Sequence, residues 1–404
     1  MANIRDLDAK GKNVLIRVDF NVPLDDQGNI LDDTRMVKAL PTIRYMLDQG
    51  ATVVIMSHLG RPLKKLLPDG SIDIEKFTLK HLVVHLMELL EVHVEFLPNS
   101  HSKETLDACK IARKGEVILL ENTRFYPGET KGEEEIASQF AQLADIYIND
   151  AFGAAHRAHA STSTVAKYFS PENKAFGFLM EDEIKNGSLL LNNPTRPVTA
   201  IVGGAKVSDK IQLIEKLMEF ADNILIGGGM SYTFLKSQGY EIGNSLCEDD
   251  YLELASKLLE KAESTGTKIY LPQDSIVADK FAADAETKIV SNEKIEKAWM
   301  GLDIGPQAKE TYRSVLLASK SILWNGPVGV FEMEAFAKGT LFLAEAIAEA
   351  TDNGAYSLIG GGDSVSAVNQ ADVSDRVSFI STGGGAMLEF LEGKTLPGIA
   401  AING

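Results

Sequence analysis

The residues best suited to chemistry in this 404-residue chain are cations that follow short apolar runs in its first half. Arginine forks suit phosphate and carboxylate groups, and histidine adds a hydrogen-bond donor near neutral pH. An acidic three-carbon phosphate would fit such a group of side chains. The cations are Arg17, Arg35, His58, Arg61, Arg124, His156, Arg157 and His159.

Each of these cations, taken alone, is more simply explained as an ordinary surface charge or a satisfied buried histidine. As a set they favour a binding function, because they follow strand-like runs and lie among glycine, proline and asparagine. Arg17 and His159 are the weakest members, since each could serve only to support a neighbour.

Glycine clusters end several apolar runs in the second half of the chain. Glycine lets a ligand approach the backbone closely, and a helix that begins just after adds its positive dipole end. A single cluster is explained equally well by the backbone angles that a turn requires. Four clusters at one presumed sheet edge predict a phosphate-binding site. The clusters are AIVGGAK (200–206), ILIGGGM (224–230), SLIGGGDS (357–364) and ISTGGGAM (380–387), and a fifth run ends in WNGPVGVFE (324–332).

Neither standard nucleotide fingerprint is complete. The nearest match to GxxxxGK[ST] ends at Thr395 and has Leu388 in place of its first glycine. The two GxGxxG candidates have Tyr232 and Val365 at the last glycine position. A P-loop enzyme and an NAD-linked dehydrogenase are therefore both disfavoured, and the segment His156–Ala158 is not the HRD motif of a protein kinase.

Short apolar runs alternate with helical periods, which is typical of parallel β/α units. The carboxyl ends of parallel strands share one sheet edge, so the cations and the glycine turns would converge there. A helix is predicted from about Met36, with Pro41 as a kink or a later start, and others at 79–90 and 133–143. The predicted strands are 14–18, 51–56, 92–96, 116–120, 145–148, 198–202, 223–226, 268–271, 321–324, 356–359 and 377–380.

The length exceeds what one hydrophobic core usually supports, so two domains are expected. The segment EDEIKNGSLLLNNPTRP (181–197) combines a helix-like start with breaker residues and marks the junction. We predict an α/β fold of two doubly wound, mainly parallel-sheet, Rossmann-like domains, residues 1–180 and 198–390, joined by a hinge region at 181–197.

Composition narrows the function classes. With 40 basic and 57 acidic side chains, the net charge of −17 disfavours nucleic acid or an anionic membrane as partner. The chain has no signal-like start and no run of about 18 apolar residues, so a cytoplasmic protein is expected. Cys109 and Cys247 lack zinc or disulfide spacing and are expected to be buried free thiols.

Nine ordered motifs spread over nearly the whole chain resemble those of the phosphoglycerate kinase family. The resemblance implies reversible formation of ATP and 3-phosphoglycerate from ADP and 1,3-bisphosphoglycerate, with Mg²⁺, in glycolysis, by a monomer. The motifs are RVDFNVP (17–23), SHLGRP (57–62), ENTRFYPGE (121–129), AFGAAHRAHAST (151–162), GGAKVSDK (203–210), LDIGP (302–306), WNGPVGVFE (324–332), GGGDS (360–364) and STGGGA (381–386).

The resemblance also implies site residues. The glycerate substrate would be held by Asp19, Asn21, Arg35, His58, Arg61, Arg124, His156 and Arg157. The nucleotide would be held by Lys206, Gly301, Glu332, Gly361, Gly362, Asp363 and Ser364, with Glu332 on the ribose hydroxyls and Asp363 also on Mg²⁺. The segment 391–404 would return to pack on the first domain.

The chemistry agrees with these residue types. In the ATP-consuming direction the attacking carboxylate is already ionised at neutral pH, so no general base is needed. Catalysis then reduces to alignment and charge stabilisation after the domains close around the hinge. We assign this work to Arg35, Lys206, Lys210 and the amides of Gly383, Gly384 and Gly385.

Alternatives remain open for several residues and for the whole chain. Lys206 and Lys210 could form a solvated helix face, Asp363 could be a helix N-cap, and Asp19 could belong to a buried ion pair. A noncatalytic phosphate-binding protein with the same fold is the rival from another class. One departure from the family pattern is Phe379, where many relatives have histidine; it is expected to affect domain closure more than the reaction.

Overall fold

The computed structural model describes residues 3–404. The described chain divides into two compact units. Unit 1 comprises the described residues through Ile184 together with Thr395–Gly404, and unit 2 is Lys185–Lys394. Within residues 3–404, no helix has both the length and the apolar character needed to span a bilayer.

Unit 1 is built on six strands that pair in parallel throughout. The strands are β1 (Asn13–Val18), β2 (Thr52–Met56), β3 (Val94–Leu97), β4 (Val117–Leu120), β5 (Ile146–Asp150) and β6 (Lys174–Phe176). Their order across the sheet is β3-β4-β2-β1-β5-β6. Five of the six residues of β1 are buried, as expected for a central strand covered on both faces.

The helices of unit 1 connect these strands, and the last one is supplied by the end of the chain. Backbone groups of Ala155 and Gly398 are hydrogen bonded at 2.8 Å, which ties this last helix to the loop after β5. The helices are α1 (Thr34–Asp48), α2 (Ile74–Phe77), α3 (Val83–Leu90), α4 (Lys103–Ile111), α5 (Pro127–Lys131), α6 (Glu134–Ala141) and α15 (Pro397–Asn403).

Helix α1 illustrates how the sequence pattern produces the fold. Met36, Leu40 and Ile43 recur at helical spacing and are buried against the core of unit 1. The helix begins at Thr34, two residues before the predicted start, and Pro41 lies inside it. Gly50 follows with a φ of +82°, a conformation that ends helices and favours glycine.

Unit 2 contains a second six-stranded parallel sheet with the order β10-β8-β7-β15-β16-β17. The two parallel sheets confirm the predicted α/β fold class. The strands of unit 2 are β7 (Val198–Val202), β8 (Asn223–Ile226), β9 (Glu241–Ile242), β10 (Lys268–Tyr270), β11 (Asp274–Ala278), β12 (Thr287–Ser291), β13 (Lys294–Ile295), β14 (Met300–Ile304), β15 (Ser321–Asn325), β16 (Tyr356–Gly360) and β17 (Phe379–Ile380).

The sequence pattern missed two small sheets in unit 2. Strands β12, β11 and β14 form an antiparallel sheet, and β13 pairs with β9. The remaining helices are α7 (Phe178–Asn192), α8 (Ile211–Leu217), α9 (Met230–Ser237), α10 (Leu252–Thr265), α11 (Pro306–Leu317), α12 (Lys338–Asp352), α13 (Gly362–Gln370) and α14 (Gly385–Leu391).

The two cysteines are both free thiols, as predicted, but they differ in burial. Cys109 is buried in α4, and burial raises the pKa of its thiol to about 12. The prediction of burial was wrong for Cys247, which lies half-buried in a loop of unit 2.

Candidate functional site

The predicted substrate residues of unit 1 follow the carboxyl ends of its parallel strands. Asp19 and Asn21 come directly after β1, and His58 and Arg61 come after β2. Arg124 lies in a short 3-10 turn, Thr123–Phe125, that follows β4. Because the strands are parallel, these side chains reach the same edge of the sheet.

A cavity of about 290 Å³ at this edge is lined mainly by cations. Arg61, Arg124 and Arg157, all predicted from the sequence, contribute to its wall together with His159. Lys64 and Thr130 also line it and were not predicted, although Thr130 directly follows the motif at 121–129 and Lys64 lies two residues after the motif at 57–62. Such a cavity suits a small anion, because guanidinium groups bind phosphate and carboxylate oxygens in pairs.

Burial and mutual repulsion strongly perturb these cations. Burial, with Arg17 and Arg157 nearby, lowers the pKa of Arg124 to about 10. Burial, and then the positive charges of Arg124, Arg17 and Arg157, lower the pKa of His159 to about 3, so this imidazole is neutral at physiological pH. A bound anion would relieve the repulsion among the arginines, which supports an anion site.

Two other predicted substrate residues, Asn21 and His156, are connected to this cavity by hydrogen bonds. Asn21 Oδ1 accepts the amide of Gly60 at 2.7 Å, and Arg124 donates to the carbonyl of Gly60, also at 2.7 Å. His156 Nε2 accepts from Arg157 Nε at 3.0 Å. His156 is thus placed beside the cavity through Arg157.

Arg35 and Asp19 form an ion pair with a separation of 2.8 Å. Arg35 lies in the first turn of α1 and is half-buried, whereas Asp19 is buried. The structural alternative for Asp19, a buried ion pair, is therefore present here, and direct contact of Asp19 with substrate stays a prediction.

Arg17 differs from the other cations because its guanidinium is completely buried. It donates to Ser161 Oγ at 2.8 Å, to the carbonyl of Val18, and to His58 Nδ1 at 3.0 Å. Arg17 therefore supports its neighbours, which is the alternative that the sequence left open for it.

The glycine turns of unit 2 surround a larger cavity of about 710 Å³. Gly301, Glu332 and Asp363 line it, as predicted, together with Gly204, Gly228, Gly229 and Gly329 from the glycine-rich turns. Position 301 requires glycine because the Tyr232 side chain packs closely against its backbone: a Cβ there would lie 1.9 Å from the Tyr232 hydroxyl.

Apolar side chains that the sequence did not single out complete this cavity. Phe281 and Leu246 are largely exposed on its wall, and Tyr232 and Met300 are others. An aromatic ligand ring would gain from such contacts, while the glycine turns offer amides to its charged groups. No sequence signal marks these residues, since they come from loops and strands distant in the chain.

Lys206 and Lys210 lie in the loop between β7 and α8, so the alternative of a solvated helix face is wrong. Lys206 is exposed, whereas Lys210 is half-buried at the N-cap position of α8. Burial lowers the pKa of Lys210, against the opposing pull of Asp209 and Asp363.

Asn325 is a functional candidate that the sequence analysis did not name. It ends β15, is buried, and accepts a hydrogen bond from Lys210 Nζ. Its amide donates to the carbonyl of Gly360 at 3.2 Å. Asn325 therefore links Lys210 to the turn that carries Asp363.

That turn, Gly360 to Ser364, opens helix α13. Its N-cap residue is Gly361, with a φ of +91°, so the N-cap alternative for Asp363 is wrong. Asp363 is exposed in the first helical turn, where the helix dipole favours a negative charge. The hydroxyl of Ser364 accepts the amide of Gly326 at 2.7 Å and so fixes the neighbouring turn after β15.

The residues present fit a magnesium ion that is held mainly by nucleotide. No group of three or more His, Cys, Asp or Glu within residues 3–404 is arranged to hold a metal. Mg²⁺ commonly relies on one or two carboxylates plus substrate phosphates, and the exposed carboxylate of Asp363 on the cavity wall is such a ligand.

The amides of Gly383–Gly385 lie where α14 begins. Gly384 is its N-cap residue, with a φ of +52°, and the amide of Gly383 donates to Ser381 Oγ at 3.0 Å. Their role toward a transferring phosphoryl group stays a prediction.

The chain matches a family model and curated relatives over nearly its whole length. The family model for phosphoglycerate kinase matches residues 4–394. A phosphoglycerate kinase of Thermosipho africanus is 52% identical over 400 residues, 99% of this chain and 97% of that protein. A cytosolic phosphoglycerate kinase of Nicotiana tabacum is 50% identical over 403 residues, 100% of this chain and 98% of that protein.

Solved structures are similar over the whole chain as well. The phosphoglycerate kinase of Coxiella burnetii has a TM-score of 0.87 and 41% identity, covering 99% of this chain and 98% of that one. The enzyme of Pyrococcus horikoshii OT3 has a TM-score of 0.83 and 32% identity, covering 100% and 98%. Because the family model matches residues 4–394 and relatives about half identical cover nearly the whole chain, this chain belongs to the phosphoglycerate kinase family.

Proposed function

We propose that this chain catalyses reversible phosphoryl transfer between 1,3-bisphosphoglycerate and ADP, which yields 3-phosphoglycerate and ATP, as a step of glycolysis. The observation that carries the proposal is the cation-lined cavity of unit 1, with Arg61, Arg124 and Arg157 in its wall. A three-carbon acid that bears phosphate is the type of ligand these three guanidinium groups would bind.

The glycerate substrate is held by the residues around this cavity. Arg61, Arg124 and Arg157 bind its phosphate, and the remaining predicted substrate residues position its carboxyl end. These residues are Asp19, Asn21, Arg35, His58 and His156. Because no group there needs to remove a proton from a carboxylate, the site works by alignment and charge.

The nucleotide occupies the cavity of unit 2. Its base lies against apolar residues such as Phe281 and Leu246, and Glu332 accepts hydrogen bonds from the ribose hydroxyls. Its phosphates meet Lys206 and the first turn of α13, residues Gly361, Gly362, Asp363 and Ser364. Gly301 forms part of the wall.

Stabilisation of the transferring phosphoryl group comes from fixed positive charge. Arg35 acts from unit 1, and Lys206, Lys210 and the amides of Gly383, Gly384 and Gly385 act from unit 2. Asp363 would hold Mg²⁺, which neutralises phosphate charge when bound. Asn325 keeps Lys210 directed toward the nucleotide turn.

Since the two substrates bind to different units, transfer requires a closing motion that also excludes water. We place its hinge in residues 181–197, between domains 1–180 and 198–390, with 391–404 packing on the first domain. The net charge of −17 supports the absence of nucleic-acid and membrane partners, and the cytosolic tobacco relative supports a cytoplasmic location. A monomer is proposed from the family resemblance.

The test is ATP formation from 1,3-bisphosphoglycerate, ADP and Mg²⁺ by this chain and by Arg35→Ala and Lys210→Ala. Both variants should lose about 100-fold or more in kcat, because each removes charge aimed at the transition state. Arg44→Ala, an exposed arginine on the same helix as Arg35, and Lys257→Ala, an exposed lysine, are the matched controls and should retain activity. No turnover by the unaltered chain, despite nucleotide binding, would favour a noncatalytic phosphate-binding protein.

A further inference from the structure

A buried chain of hydrogen bonds in unit 1 leads from Glu129 to His58. Glu129 is completely buried and accepts the amide of Ser161 at 2.9 Å and its hydroxyl at 2.6 Å. Ser161 Oγ in turn accepts from Arg17 Nε at 2.8 Å. Arg17 Nη2 then lies 3.0 Å from His58 Nδ1.

The donors and acceptors along this chain allow only one arrangement of its hydrogen-bonding protons. The Glu129 carboxylate only accepts, so the single hydroxyl proton of Ser161 is directed to it. The lone pairs of Ser161 Oγ then face Arg17. A guanidinium has donors only, so Nδ1 of His58 must be the acceptor, and the ring proton lies on Nε2.

The charges around His58 favour its neutral form. Its pKa is held well below the usual 6.5 by burial first, and then by Arg17, Arg124, Arg35 and His159. The carboxylate that faces the ring is Asp19, whose Oδ1 lies 3.8 Å from Nδ1. Because Asp19 is already paired with Arg35, its attraction for a proton on His58 is weakened.

The guanidinium of Arg17 is completely buried, and its Nε, Nη1 and Nη2 each donate to a group inside unit 1. Arg17 is therefore not placed to bind substrate itself. It influences the substrate site only through His58, and Glu129 and Ser161 influence it through Arg17.

We propose that Glu129 and Ser161 are positioning residues that, through Arg17, fix His58 as the neutral Nε2–H tautomer. His58 thereby meets the acidic substrate as a hydrogen-bond donor and takes no part as an acid or base. This inference rests on the proposed role of His58 in substrate binding, and it explains why a buried carboxylate lies among the residues of an anion site.

The test is long-range ¹H–¹⁵N NMR of the full chain with ¹⁵N-labelled histidine, with His58→Gln used to assign the His58 signals. In the unaltered chain, His58 should show an unprotonated Nδ1 and a protonated Nε2 from about pH 5 to 8. In Ser161→Ala, which leaves Arg17 Nε without its acceptor, His58 should exchange between tautomers or titrate within this range. The KM for 3-phosphoglycerate should rise about tenfold in that variant, with the KM for ATP unchanged.

Thr123→Val is the matched control. Its hydroxyl donates to the same Glu129 oxygen at 3.2 Å and is equally buried, yet it does not touch Arg17. The His58 spectrum and the KM for 3-phosphoglycerate should be those of the unaltered chain. A general loss of packing would instead change both variants alike.

Two results would overturn the inference. One is a protonated Nδ1 on His58 in the unaltered chain at pH 7, which needs no variant to detect. The other is a His58 spectrum that is unaffected by Ser161→Ala while the unaltered chain turns over 3-phosphoglycerate normally. Absence of turnover by the unaltered chain would count against the proposed function, and the NMR result would still decide the tautomer.

Discussion

Single residues in this chain act according to what they are bonded to more than to their type. Arg17 and Arg61 both lie near the carboxyl ends of strands. Arg17, the second-last residue of β1, is buried and supports His58, while Arg61, after β2, lines the cavity. Lys206 and Lys210 differ in the same way, because only Lys210 is held by Asn325. The number of hydrogen bonds already made inside the protein determines which cation remains available for a ligand.

The residue scale also gives a prediction about glycine. Gly361 precedes α13 with a φ of +91°, and Gly354 has a φ of +90° in a turn after α12. Alanine at either position should cost about 1 kcal/mol of stability, because its Cβ disfavours this conformation. Only Gly361→Ala should weaken MgADP binding, by about tenfold, since it shifts the turn that carries Asp363.

Thermal unfolding and calorimetric titration with MgADP would check both variants. Gly354→Ala is the control for backbone strain, since its Cβ would meet no atom within 4 Å. An equal loss of nucleotide affinity in the two variants would contradict a specific role for the turn at Gly361.

Among the elements, α7 is the one that continues from unit 1 into unit 2. Its first amides would be unsatisfied without partners. The amide of Phe178 donates to Thr42 Oγ1 at 2.9 Å, and that of Met180 donates to Asp150 Oδ1 at 3.1 Å. The start of α7 is therefore fixed to the sheet and to α1, which suits a helix that leads into the proposed hinge.

Asp150 makes this attachment dependent on pH. Burial raises its pKa from 3.8 to about 7, against hydrogen bonds from Thr42 and Met180. The folded form thus keeps a proton that the unfolded chain loses. This proton contributes up to about 4 kcal/mol to the free energy of unfolding. The contribution is fully present below about pH 4 and is lost as the pH rises to about 7.

Asp150→Asn should lack this component, so its stability should fall less between pH 5 and pH 8 than that of the unaltered chain. Urea unfolding should be followed by ellipticity, because both tryptophans, Trp299 and Trp324, belong to unit 2. Parallel pH curves for the two proteins would show that Asp150 is ionised in the folded state and would refute this prediction.

At the scale of the whole molecule, the positive charge at the unit 1 cavity is opposite in sign to the net charge of the chain. The chain carries a net charge of −17, yet three arginines line one cavity. Charges on the distant surface are screened beyond about 8 Å at physiological salt, so the local cluster governs the binding of a small anion. In the proposed function each substrate binds to its own unit, which has its own sheet and its own glycine or arginine turns.

We therefore expect closure only when both sites are filled. Small-angle scattering should give a smaller radius of gyration with 3-phosphoglycerate and MgADP together than with either alone, because only the pair links both units. Arg35→Ala, measured with both ligands at saturating concentration, should show a weaker decrease. A radius that is the same in all four ligand states would contradict the hinge at 181–197.

The amino-acid sequence by itself determined the family, the α/β class and most strands of the two parallel sheets. These depend on local properties: continuous apolar runs for buried strands, helical spacing as in α1, and glycine or arginine at the turns that follow. The nine ordered motifs also identified the three arginines of the unit 1 cavity and the Asp363 turn, since these residue types lie within single short segments.

Only the tertiary structure decided which side chains those segments meet. The antiparallel strands β11, β12 and β14 were missed because their runs are short and broken, and the apolar cavity residues Phe281 and Leu246 carry no motif. The burial of Arg17 and its bond to His58 depend on Ser161, 144 residues away in sequence. Burial and hydrogen-bond direction arise from contacts between distant segments, and a local pattern contains no information about those contacts.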